Sequence, residues 1–120
     1  MRAISPRQIE PNEAAVVRAA LLRAPTERVA LSMLREVETL SVLGVCECGC
    51  HSLYFRSVTS EDRRVADGVG SLPDGETIGI LVWACSEQLS ALELVDHMGQ
   101  GNLPNPESVR AWDEASADAP

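Results

Sequence analysis

The chain has 120 residues, 45% of them hydrophobic, 23% charged and only 3% aromatic, which is the profile of one small folded domain. No apolar run approaches the roughly 20 residues that cross a bilayer, and the first residues lack the basic, apolar, small-residue order of a secretory leader, so a cytoplasmic protein with no membrane association is expected. Ten arginines and no lysine stand against 18 acids for a net charge of -8. From Val65 onward Arg110 faces ten acids alone, a field that repels phosphate backbones and excludes nucleic acid as a first choice of partner. Replacement of every lysine by arginine reads as the codon bias of a GC-rich genome.

Residues 1–6 read as a mobile end. Pro11, Asn12 and Glu13 suit a first helical turn, and Val16, Val17, Ala20, Leu21 and Ala24 recur on one face, so a helix is predicted over 11–24. Pro25 ends it, Thr26 caps a second, and Val29, Ala30, Met33, Leu34 and Val37 extend that helix over 26–36. Beyond Val37 the period changes. Val42 and Val45 with Gly44 predict a strand over 39–48, Gly49 serves as a hairpin pivot, and the alternation after Ser52 predicts a strand over 52–58. Charges, three glycines and Pro73 mark 59–75 as a long loop.

The clearest strand is 77–85, apolar on both faces, with Trp83 expected in the core. A short polar turn leads to a partner strand over 89–98, with Leu92 and Leu94 inward and Glu93 outward. The pair is expected to be an antiparallel hairpin, because so short a turn cannot feed a parallel neighbour. The glycines and prolines of 99–106 predict a loop, followed by one last turn. The fold class is then α+β, with two N-terminal helices packed on one face of a mostly antiparallel sheet of about four strands. Residues 1–112 form a single domain and 113–120 a disordered acidic tail.

Cys46, Glu47, Cys48, Gly49, Cys50 and His51 are the one locally unusual string. Thiolates and imidazole are preferred zinc ligands, and three Cys with one His is a familiar closed set, which Cys85 or His97 could also complete. Alternate residues on a strand, however, set their side chains in a row roughly 6.5 to 7 Å apart. The three thiols are therefore expected not to share one tetrahedral zinc. No C-x-x-C pair exists for thioredoxin-like redox work, and no base lies in a recognisable motif beside a cysteine nucleophile. The segment Gly68, Val69, Gly70, Ser71 lacks the lysine of a phosphate loop. No catalytic residue is assigned.

With a helix pair, the C-x-C-x-C string followed within two residues by Ser52, and a Leu-Pro-x-Pro loop at Leu103 to Pro106, the chain resembles a set of short bacterial proteins. That resemblance implies the same fold and no particular activity. The expectation from sequence is thus a non-enzymatic binding or accessory protein whose acidic half faces a basic protein partner, as immunity proteins do by analogy of class alone. No cofactor is expected. The alternative is a zinc-binding protein using the cysteine cluster.

Overall fold

A computed structural model describes residues 1–96 and 101–112. In chain order its elements are β1 (Arg2–Gln8), α1 (Pro11–Arg23), α2 (Leu31–Glu36), β2 (Ser41–Val45), β3 (Leu53–Tyr54), β4 (Arg63–Ser71), β5 (Thr77–Cys85), β6 (Gln88–Val95) and β7 (Arg110–Ala111). Single 3-10 turns lie at Thr26–Arg28, Val37–Thr39 and Pro106–Ser108. The strands form one sheet in the order β1-β2-β3-β6-β5-β4-β7, and every neighbouring pair is antiparallel.

The architecture is α+β, but the expected four-strand sheet behind two leading helices is overturned by a seven-stranded sheet that begins before the first helix. β1 was hidden because it is an exposed edge strand with no alternation of apolar residues. Its register with β2 shifts between Ala3 and Arg7, which accommodates Pro6 at the edge, where a missing amide costs no ladder bond. β4 was hidden by its glycines, placed in a loop. They mark close chain approach instead: a Cβ on Gly68 would stand 2.3 Å from the Arg110 carbonyl oxygen of β7, and one on Gly70 would stand 2.7 Å from Pro104 Cβ. Glycine inside a strand often has this meaning.

Other boundaries contract. The strand read over 52–58 pairs only at Leu53–Tyr54, and the one read over 39–48 stops at Val45. α1 ends at Arg23 as Pro25 requires, but the second helix starts at Leu31, after a separate turn at Thr26–Arg28. β5 occupies 77–85 and forms the expected hairpin with β6. The expected end of that partner strand, at 97 and 98, and the tail over 113–120 lie outside the described residues.

The core lies between the helices and one sheet face. Val16, Val17, Ala20 and Leu21 of α1 are buried, as are Ile78, Ile80, Val82 and Ala84 of β5 and Leu92 and Leu94 of β6, and α1 packs over β4 and β5. Each of the buried Val, Leu and Ile side chains contributes about 1.5–3 kcal/mol. Trp83 departs from its expected core position. Alternation turns it to the opposite face, where it is half-buried and its indole N–H donates to Glu93 Oε1 at 3.0 Å.

Candidate metal centre

The string from Cys46 to Cys50 leaves the sheet. β2 stops at Val45, β3 resumes at Leu53 across from it, and the residues between reverse the chain. Gly49 takes φ 93°, in the left-handed region that glycine enters without steric cost. A turn brings together what a strand would spread apart. The Cys48 sulfur lies 2.8 Å from that of Cys46 and 3.0 Å from that of Cys50, and all three lie within 4.8 Å of one another. The expectation that these thiols form a splayed row is therefore corrected, because its premise of extended backbone fails here.

All four cysteines are free thiols, and sulfur separations near 3 Å exceed the 2.03–2.05 Å of a disulfide bond. Two backbone amides point at the cluster: the Cys48 N–H donates to Cys46 Sγ and the Cys50 N–H donates to Cys48 Sγ, each at 3.4 Å. Such donors orient sulfur ligands and support the negative charge that a metal-bound thiolate carries. The cluster's neighbour Tyr54 has its phenol pushed up by burial first, then by the charges of Cys46, Glu93, Cys50 and Cys48.

The turn is held on three sides. Buried Ser52 accepts the Leu94 amide proton at 2.9 Å and lies 3.1 Å from Cys50 Sγ, so its side chain extends the contact of β3 with β6 to the foot of the cluster. His51 is clamped between two acceptors, with Nδ1 3.1 Å from the Gly101 carbonyl oxygen and Nε2 2.7 Å from Glu13 Oε2. Both ring nitrogens thus face oxygen atoms rather than sulfur. Gly101, at φ 74°, also brings its backbone against the turn, where a Cβ would stand 2.9 Å from the Gly49 carbonyl oxygen.

Glu13 is the residue that sequence reading assigned only to a helix start. It is fully buried. Arg7 donates to both its oxygens at 2.9 Å, and the Glu10 amide donates to Oε1 at 2.9 Å. Burial alone raises a carboxyl group of this kind, but the bonds from Arg7, Glu10 and His51 with the charge of Arg7 override it and hold Glu13 at about 2. The available signal was its position three residues after Glu10, where a glutamate reaches back to the amide at a helix start. Its bonds to Arg7 and to the distant His51 left no trace in spacing.

Of the remaining sequence candidates, Cys85 sits at the far end of β5 across from Gln88 and is outside the sulfur cluster. His97 lies outside the described residues. His51 adjoins the cluster but has both nitrogens committed. The acidic half is partly engaged internally: Glu93 is bound by Trp83, Asp96 Oδ2 accepts the Gly101 amide at 3.3 Å, and Asp67 lies 3.4 Å from Arg64. Among the described residues no helix is long and apolar enough to cross a membrane. Comparison of the chain with protein-family models, curated proteins and solved structures gives no match.

Proposed function

We propose that this protein binds a thiophilic metal ion, of the kind represented by zinc and copper(I), through the thiolates of Cys46, Cys48 and Cys50. The observation that carries the reading is the convergence of three sulfurs within 4.8 Å on a turn whose amides donate to two of them. Soft thiolate donors favour such ions over magnesium or calcium, which take oxygen. The thiols lose their protons as the ion binds, so affinity falls as pH is lowered.

Calorimetric titration of the reduced chain with zinc, alongside a variant with Cys46, Cys48 and Cys50 all replaced by serine, tests it. One ion per chain for the natural sequence and none for the variant is expected. An equal heat for both, or no binding to the natural chain by zinc or by anaerobically supplied copper(I), overturns it.

A further inference from the structure

Three sulfurs are a complete set for one kind of ion and an incomplete set for another. Zinc in a closed structural site takes four protein donors. Here the turn supplies three, and among the described residues its neighbours withhold a fourth. His51 is adjacent in sequence, but Nε2 faces the buried Glu13 carboxylate at 2.7 Å and Nδ1 faces the Gly101 carbonyl at 3.1 Å. Turning the ring toward sulfur would strip a buried carboxylate of one of its partners. Ser52 Oγ is occupied by the Leu94 amide. Among the described residues no other histidine, cysteine or carboxylate joins the three sulfurs.

Charge points the same way. Three thiolates around a monovalent ion carry two net negative charges, and around a divalent ion one. The shallow cavity of about 270 Å³ that holds Cys46 and Cys50 is also lined by Arg2 and Arg7. Arg7 is shared with Glu13, while Arg2, on the exposed edge strand, is a second arginine lining the same cavity.

Resting on the metal-binding reading above, we infer that the centre is a three-coordinate, all-sulfur site that selects copper(I) over zinc. Copper(I) is soft, is satisfied by three thiolates and needs no nitrogen donor. Zinc in the same turn must complete its shell with water. The position of the cluster on a surface turn, with Cys48 exposed, leaves a bound ion accessible to the thiolates of another molecule.

The test is anaerobic, on the reduced full chain. Copper(I) is added to zinc-loaded protein in the presence of a zinc indicator, and X-ray absorption at the copper and zinc edges counts the neighbours. One copper per chain with three sulfur and no nitrogen neighbours, release of zinc, and an oxygen neighbour on zinc before its release are expected.

Retention of zinc against copper(I), a nitrogen neighbour on either ion, or several coppers in one cluster overturns the inference while leaving metal binding intact. Failure of both ions to bind overturns the metal-binding reading itself.

Discussion

Glu13 shows how one side chain can connect three separate segments. It ties β1 through Arg7, the start of α1 through the Glu10 amide and the cysteine turn through His51. A buried carboxylate without such partners would be costly, and removing one member of a buried hydrogen-bonded charge pair exposes that cost. Glu13→Gln keeps the shape but removes the charge. A loss of about 1.5–3 kcal/mol in urea denaturation is expected, as for a hydrogen bond to a charged group, and an unchanged midpoint would show that Glu13 is incidental.

The sign of the pH dependence follows from the direction of the shift. Glu13 is held below its ordinary range, at about 2 in the folded chain, so its stabilising contribution is present above the unfolded carboxyl value and disappears as pH falls through about 2. The stability gap between the natural chain and the Gln variant should accordingly narrow from about pH 5 downward. Paired urea midpoints at successive pH values read it, and a gap that widens on acidification contradicts the assignment.

At the scale of elements, Gly68 is the sharpest position. Its missing Cβ lets β7 approach β4 to a distance at which alanine would meet the Arg110 carbonyl oxygen. Gly68→Ala should separate β7 from the sheet at a cost of about 1–3 kcal/mol, typical of inserted atoms in tight packing. Hydrogen exchange at Arg110 and Ala111 should quicken while β5 and β6 stay protected. Equal exchange in both proteins would mean that β7 is not held by this pairing.

The same elements explain what was readable from sequence. β5 announced itself because nine successive residues alternate between two faces of a central strand, and α1 because its buried stripe keeps helical spacing. β1 and β4 did not, since an exposed edge strand owes its place to backbone pairing, and glycines chosen for close approach look like loop punctuation. The candidate ligands were legible as chemistry, three thiols and an imidazole in six residues. Their arrangement was not, because whether Cys46 to Cys50 lie on a strand or a turn decides between a row and a cup. The diversion of His51 to Glu13 depends on a residue 38 positions away, beyond any local pattern.

For the whole molecule, the cysteine turn joins β2 to β3 and leans on the loop at Gly101 and, through His51, on α1. An ion bound there stabilises the folded chain by mass action, by about 2.7 kcal/mol at a hundredfold excess over Kd. The melting temperature of the natural chain should rise with added zinc, that of Cys85→Ser should rise equally, and that of Cys48→Ser should not move. A rise that survives Cys48→Ser would place the ion elsewhere.

The most direct measurement of the shared centre is residue-resolved alkylation of the reduced native chain with and without zinc, read by peptide mass mapping. Cys46, Cys48 and Cys50 should become protected together at one equivalent of ion, while Cys85, at the other end of β5, should react at the same rate in both samples. Protection of only one or two of the three, or of Cys85 along with them, would contradict a centre built from this turn.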